Sequence, residues 1–300
     1  MRTAARLTAG AATDPGLVRQ SNEDRCWMDV EHGVFLVVDG VGGQAAGELA
    51  AETAVAAVRE TIGAAGPAET RIRGSILHAN NRIYELAQAE DARRGMACVL
   101  TLTVVEEGEI VIGHVGDSRL YLLWNGAIRK LTADHSPVGE EEDSGALTET
   151  EAMAHPRRNE VFRDVGSLPR SASDPGFIEI RRCSFRDDAA ILLCSDGLTD
   201  HLTSVQAREI AERYDGDAAR VAAALVEAAN AAGGRDNITA LFVAGPGYRA
   251  RGAPRSGVTR PRFSTTRPGR GARLFTGRAA FLLYGLLLGM LVWAALGFKG

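Results

Sequence analysis

The chain has 300 residues, 45% of them hydrophobic, and a net charge of −4; this is enough for one large domain or two small ones with a sizeable core. Residues 249–300 hold nine Arg, one Lys and no Asp or Glu, which leaves −14 on residues 1–248, and so acidic a body argues against a nucleic-acid groove on its surface. Four cysteines, Cys26, Cys98, Cys183 and Cys194, show no C-x-x-C spacing, which argues against a disulfide scaffold and for buried, reduced thiols in the cytosol.

In chain order, the N-terminal run MRTAARLTAG lacks an apolar signal-peptide core. Residues 34–38 form the first apolar strand. Residues 47–62, Ala-rich with Leu49, Val55, Val58 and Ile62 on overlapping faces, read as a helix. Ile72, Ile76, Ile83 and Ala87 mark a second helix. Three strand-like runs follow at 99–105, 110–115 and 120–124. TETEAMAH reads as a short helix capped by Thr148. Residues 189–194 are another strand; Val221, Leu225 and Val226 mark a helix that ends near Gly233-Gly234; residues 238–243 are the last strand. Strands and helices come in blocks, which predicts an α+β domain over residues 1–245, with largely antiparallel sheets covered by helices.

Residues 246–278 are rich in Gly, Pro, Arg, Ser and Thr and read as a disordered linker. Residues 279–298, AAFLLYGLLLGMLVWAALGF, carry no charge. Twenty helical residues span roughly 30 Å, the thickness of a bilayer core, so this segment is expected to be one transmembrane helix.

The segment HVGDSRLYLL raises a question of chemistry. It reads as a strand, yet Asp117 sits near its start, where a carboxylate costs β-propensity and is expensive to bury unpaired. The pattern recurs: VFLVVDGVGG places Asp39 at a strand end, AILLCSDGLTD places Asp196 there, GGRDNITALFV puts Asp236 at a strand entry, and RQSNED adds Glu23 and Asp24. Singly, each is an ordinary turn. Together, acids at the ends of buried strands in one domain would repel one another if they converged, and convergence calls for cations. An all-oxygen set suits Mg²⁺ or Mn²⁺, and the six histidines are scattered without metal-ligand spacing. Two adjacent hard ions acidify a bridging water and clamp phosphoryl oxygens. Arg19, four residues before Glu23, is placed to bind phosphate.

The ordered set RQSNED, VVDGVGG, GHVGDSRLY, LTADHSPV, HPRRN, LLCSDGLTD and GGRDNITALFV resembles the metal-dependent protein phosphatases of the PPM family, type 2C class, in their bacterial form. The resemblance implies an αββα sandwich, two central antiparallel sheets flanked by helices, and hydrolysis of phosphoserine and phosphothreonine in proteins. It implies that Asp39 bridges two core ions and that Gly40 is a ligand through its carbonyl. Asp196 and Asp236 would complete the first ion, and Glu23 and Asp24 would surround the second, directly or through water. Asp117, with Asp196, would form a weaker third site. Arg19 would hold the phosphate, Asn237 would orient a ligand by hydrogen bonds, and Asp200 would hold a coordinated water.

Two departures stand out. Val41 follows the Asp-Gly pair where animal members place a proton-donating His, and Ala97 and Cys98 stand where hydroxyl-bearing residues are usual. His135 is expected to be a structural turn residue rather than a replacement acid. Residues 136–168 fall where bacterial members carry a mobile flap, and the run Glu140–Asp143 is expected to be either a solvated loop or a surface that favours basic peptides. An active phosphatase is the reading favoured over a catalytically inactive phosphoprotein-binding module, because Asp39, Asp196 and Asp236 are all present, and over a two-metal hydrolase of small phosphate esters or nucleic acid, whose basic substrate groove the −14 body argues against. Phosphoproteins, among them a Ser/Thr kinase and its substrates, are the expected partners, and nucleic acid is not. Arg267, Arg270, Arg273 and Arg278 precede the apolar segment and only Lys299 follows it, so a single-pass span with the catalytic domain on the cytoplasmic side is expected.

Overall fold

The computed structural model describes residues 7–42, 45–174 and 176–249. Its elements are β1 (Thr8–Asp14), β2 (Arg25–Asp29), β3 (Val34–Val41), α1 (Ala45–Thr61), α2 (Ala68–Ala89), β4 (Ala97–Glu106), β5 (Glu109–Val115), β6 (Arg119–Trp124) and β7 (Ala127–Lys130). They continue with α3 (Pro137–Asp143), α4 (Glu149–Met153), β8 (Glu179–Ser184), β9 (Ala190–Cys194), α5 (Asp196–Thr199), α6 (Ser204–Ala211), α7 (Ala218–Ala231) and β10 (Ile238–Ala244). The strands form two five-stranded sheets, ordered β1-β10-β9-β6-β7 and β2-β3-β4-β5-β8, with antiparallel pairing throughout.

Side chains alternate across a strand, and here both faces are apolar. On β3, Val34, Leu36 and Val38 pack with Ile72 and Ile76 of α2 and with Ala50 and Ala54 of α1. Phe35 and Val37 point the other way, into a layer with Ile191, Leu193 and Leu241 of the opposite sheet. Beyond that sheet, Leu192 and Phe242 pack with Ala222 and Leu225 of α7. Three apolar layers thus hold together helices, sheet, sheet and helices, the αββα order. Each large aliphatic or aromatic side chain so buried contributes about 1.5–3 kcal/mol.

The central strands fall where the sequence places them, within three residues. The segment from His114 to Leu123 does not form one strand: β5 ends at Val115, β6 begins at Arg119, and the two belong to different sheets. Asp117 therefore stands in the turn that crosses between sheets. Asp39 and Gly40, expected at a strand end, are still within β3 and pair with Val99 and Cys98. The acidic run at 140–143 is not a loop, since it forms most of α3, begun by Pro137 and capped by the Ser136 hydroxyl, which accepts the Gly139 N–H. All four cysteines are free, but only Cys98 and Cys194 are buried; Cys26 and Cys183 are half-buried. Among the described residues no helix is long and apolar enough to cross a membrane. Of the linker expected at 246–278, residues 246–249 are described, with Tyr248 buried against Tyr214 and Phe242; the rest of it and the apolar segment at 279–298 lie outside the described residues.

Candidate metal centre

The acids singled out in the sequence come from both sheets. Asp39 lies in β3 and Glu23 and Asp24 precede β2 in one sheet; Asp196 opens α5 directly after β9, and Asp236 leads into β10, in the other. Asp117 bridges the two. The structure brings them together. The Asp39 carboxyl is held far above the usual carboxylate range, first by burial and then by the charges of Asp24, Asp196, Asp117 and Asp236. Asp196 is pushed up in the same way, by burial and then by Asp117, Asp200, Asp236 and Asp24. Burial and Asp134, partly offset by Arg119, raise Asp117 to about 7. Two like charges about 4 Å apart repel by roughly 4 kcal/mol at an effective dielectric of 20, so several ionised carboxylates at one buried point require positive charge among them.

The residues present fit that requirement. Asp24 Oδ1 and Asp196 Oδ1 are buried acceptors without a hydrogen-bond partner among the described residues. Every donor in the set is an oxygen, which suits hard divalent ions such as Mn²⁺ or Mg²⁺. At Gly40 a Cβ would lie 2.2 Å from the Gly47 carbonyl oxygen and 2.9 Å from that of Glu23. Only glycine admits this approach of β3, the start of α1 and the Glu23 segment.

Asp24 and Glu23 differ in setting. Asp24 is buried, and its Oδ2 accepts the Ser195 hydroxyl at 2.7 Å. Ser195 Oγ in turn accepts the Thr239 N–H at 3.0 Å, which fixes Asp24 against the opposite sheet. Burial raises Asp24 to about 6, against hydrogen bonds from Ser195 and Thr239. Glu23 is half-buried, with its carboxylate directed at Gly47. Arg19 is half exposed and its Nη2 donates to Asp236 Oδ2 at 2.8 Å, which places the guanidinium at the mouth of the cluster.

Asn237 acts otherwise than expected. Its backbone N–H, not its side chain, donates to Asp236 Oδ1 at 2.8 Å. The side chain is bonded instead to the segment that carries Arg19 and Glu23. Asp200 accepts Arg158 Nε at 2.6 Å, so it is engaged with the flap rather than only with the site. His135 is a structural residue, as expected, but it is not exposed to the cleft: it is 5% accessible and its Nδ1 accepts the Gly116 N–H at 3.0 Å.

Three of the ties that fasten the flap, residues 136–168, run through its charged side chains. Arg158 meets Asp200. Glu149, in the first turn of α4, accepts both the N–H and the hydroxyl of Ser204, at 2.6 and 3.0 Å, at the start of α6. Glu142 Oε2 accepts Arg119 Nη2 at 2.6 Å, while Asp134 takes the same guanidinium in a fork through Nε and Nη2. Thr148 and Glu151 close a capping box on α4, of the kind worth about 1 kcal/mol. Sequence reasoning missed Ser195, Arg158, Arg119 and Asp134. Each lies within a quoted motif, but its partner is set by the fold.

A family model described as protein phosphatase 2C matches residues 18–240. The chain is 36% identical over 242 residues to the serine/threonine phosphatase stp of Listeria monocytogenes serovar 1/2a, covering 77% of this chain and 93% of that protein. It is similar in structure to the Mycobacterium tuberculosis serine/threonine phosphatase PstP/Ppp, with a TM-score of 0.71 and 29% identity over 80% of this chain and 98% of that one. The catalytic domain of serine threonine protein phosphatase PstP in complex with two manganese ions gives a TM-score of 0.70 and 28% identity, again over 80% and 98%.

Proposed function

The chain belongs to the protein phosphatase 2C family, and on that premise we propose how its own residues carry the reaction. It is a metal-dependent serine/threonine protein phosphatase, and its cofactor is Mn²⁺ or Mg²⁺. In our reading Asp39, the Gly40 carbonyl, Asp196 and Asp236, with Glu23 and Asp24, would hold two core ions, and Asp117 with Asp196 would hold a weaker third. The observation that carries this is the convergence of Asp24, Asp39, Asp117, Asp196 and Asp236 at one buried point, where Asp24 Oδ1 and Asp196 Oδ1 have no hydrogen-bond partner among the described residues. When bound, the ions supply an acidified water and offset charge on the phosphoryl oxygens.

The chain's own side chains do the rest. Arg19, held by a single exchangeable pair to Asp236, turns its fork to the phosphate oxygens and orients the ester. Asp24, fixed by Ser195, sets the Glu23 segment. Position 41 presents an exposed valine, so the leaving oxygen takes no proton from that side chain. The buried His135, with Nδ1 accepting from Gly116, is not its donor either. A binding module without catalysis is the alternative, and the complete set of acids argues against it. The deciding experiment is hydrolysis of a phosphothreonine peptide with Mn²⁺, with Mg²⁺ and with chelator. Turnover with either ion and none with chelator is expected; turnover in chelator, or none with any ion, overturns the reading.

We further propose that residues 1–245 are the catalytic domain, residues 246–278 a basic linker and residues 279–298 a single membrane span. The uncharged run of 20 residues and the four arginines before it support this. The catalytic domain then faces the cytoplasm, and its substrates are membrane-proximal phosphoproteins, including a Ser/Thr kinase and its targets.

A further inference from the structure

The peptide that precedes Asp117 is bracketed by two histidines. Gly116 donates its N–H to His135 Nδ1 at 3.0 Å and accepts the His135 backbone N–H at 2.7 Å. The same carbonyl oxygen lies 2.9 Å from His114 Nε2. Gly116 has φ +110°, and a Cβ there would lie 2.2 Å from the Val99 side chain. Both polar groups of the residue are engaged, only glycine fits, and both imidazoles are buried. The direction in which the chain enters Asp117 is therefore set by His114 and His135.

The far side of His135 belongs to the flap. Its carbonyl accepts the Phe162 N–H at 3.0 Å, and its ring centroid lies 6.2 Å from that of Phe162. Its Nε2 lies 2.9 Å from Arg163 Nη1 and 3.3 Å from Glu179 Oε2. Because Nδ1 accepts, the neutral ring carries its proton on Nε2. That proton is directed to Glu179, so Nε2 has no lone pair for Arg163 Nη1, and His135 is joined to the flap through Phe162.

His114, His135 and Glu179 bring ligand atoms within 4.8 Å of one another, the composition of a zinc site. The hydrogen bonds decide against an ion. His114 Nδ1 is bonded to the Thr101 hydroxyl at 2.9 Å, and its Nε2 faces the carbonyls of Gly116 and Ala133. Arg163 adds a positive charge beside the remaining nitrogen. The cluster is a bracket for backbone.

We propose that His135 is a positioning residue for the metal site at Asp117, acting through Gly116, and that it ties that site to the flap at Phe162. The proposal rests on the reading of Asp117 as a ligand. A displacement of Phe162 moves His135, turns the Gly116 peptide and re-aims the Asp117 carboxylate. The affinity of the weak ion thus follows the position of the flap. Among the described residues no hydrogen bond joins His135 to Asp39, Asp196 or Asp236, so the core ions are expected not to follow it.

The test is Mn²⁺ binding to the full-length chain, stripped of metal and titrated with free Mn²⁺ read by electron paramagnetic resonance. Wild type is expected to show two tight ions and a weaker class. Asp117→Asn should abolish the weak class, and His135→Ala should weaken it about tenfold or more, as loss of a group supporting a ligand does. The tight class should stay unchanged in both. Asn can place an acceptor where Nδ1 stands, and Gln cannot, so His135→Asn should retain the weak class and His135→Gln should lose it. This pair decides the matter should the Ala variant not fold. If Asp117→Asn removes the weak class while His135→Ala and His135→Gln keep it, His135 does not position the site. If Asp117→Asn leaves the weak class intact, the reading of Asp117 fails and the proposal falls with it.

Discussion

The side-chain carbonyl of Asn237 accepts the backbone N–H of Glu23 at 2.8 Å, while its amide donates to the carbonyls of Pro15 and Ser21 at 3.0 and 2.8 Å. One buried side chain thus ties the segment bearing Arg19 and Glu23 to the residue beside Asp236. Asn237→Ala removes all three bonds and leaves buried backbone groups unpaired, at a cost on the order of 2–3 kcal/mol. We expect kcat/KM to fall about 10–100-fold and the melting temperature to drop. Kinetics within about twofold of wild type would show that the segment holds its place without the tie.

Asp39→Asn should act in opposite directions on catalysis and on the metal-free fold. It removes a carboxyl that the metal-free fold must protonate against burial and four other aspartates, so the chelated variant should melt higher than chelated wild type. Turnover should fall by several orders of magnitude. Retention of more than about a tenth of wild-type activity, a loss of only ~1.4 kcal/mol, would remove Asp39 from the bridging role.

The same repulsion predicts a pH dependence. Asp24 and Asp117 titrate in the fold at about 6 and about 7, above the ~3.9 of an unfolded chain. Between those values the folded state binds more protons than the unfolded one, so the contribution of these two groups to stability is fullest below about pH 4 and is lost as pH rises through 6 and 7. Melting curves in chelator from pH 5 to 8 should therefore fall with pH. Added Mn²⁺ should raise the melting temperature more at pH 8 than at pH 5. A metal-free melting temperature that rises over this range would contradict the assignment.

The acidic run of α3 divides in two. Glu140 and Glu141 are exposed, whereas Glu142 holds the buried Arg119. Glu142→Gln should cost about 1–2 kcal/mol and lower the melting temperature by a few degrees. Glu140→Gln with Glu141→Gln should leave stability and aryl phosphate hydrolysis unchanged and weaken hydrolysis of phosphopeptides flanked by Arg or Lys. Equal effects of the two changes on melting would refute the division.

A chain stopped after residue 248 should be soluble and as active on small phosphate esters as the full chain, which should resist extraction from membranes by salt and alkaline carbonate. External protease on spheroplasts should spare the catalytic domain. Digestion would reverse the proposed orientation, and a soluble full-length chain would remove the anchor.

What was legible in the sequence follows from burial. The six strands read correctly, β3, β4, β5, β6, β9 and β10, are the interior strands of the two sheets, and their two covered faces leave continuous apolar runs. The four that were not read, β1, β2, β7 and β8, are the four edges. An edge carries one-sided burial and protective charge, as in EIRRCS of β8, where Arg181 and Arg182 are exposed. The acids were legible because aspartate at the end of an apolar strand needs a reason. Their supports were not: Ser195 to Asp24, Arg158 to Asp200 and His135 to Gly116 are bonds across space, and each of these side chains alone fits an ordinary turn or surface.

The first strand pairs along its whole length with the last, Thr8 opposite Ala244 and Asp14 opposite Ile238, and among the described residues β10 is the one strand that pairs with β1. Closing so long a loop is entropically costly and slow, and it cannot begin until residue 244 has left the ribosome. Asp236 reaches its place with the same strand. A nascent chain therefore carries Asp39, Asp117 and Asp196 without a competent centre, and every stop codon upstream of position 238 gives an inactive product. Emergence of β10 is what completes the centre, and termination upstream of that strand is expected to leave no active fragment behind.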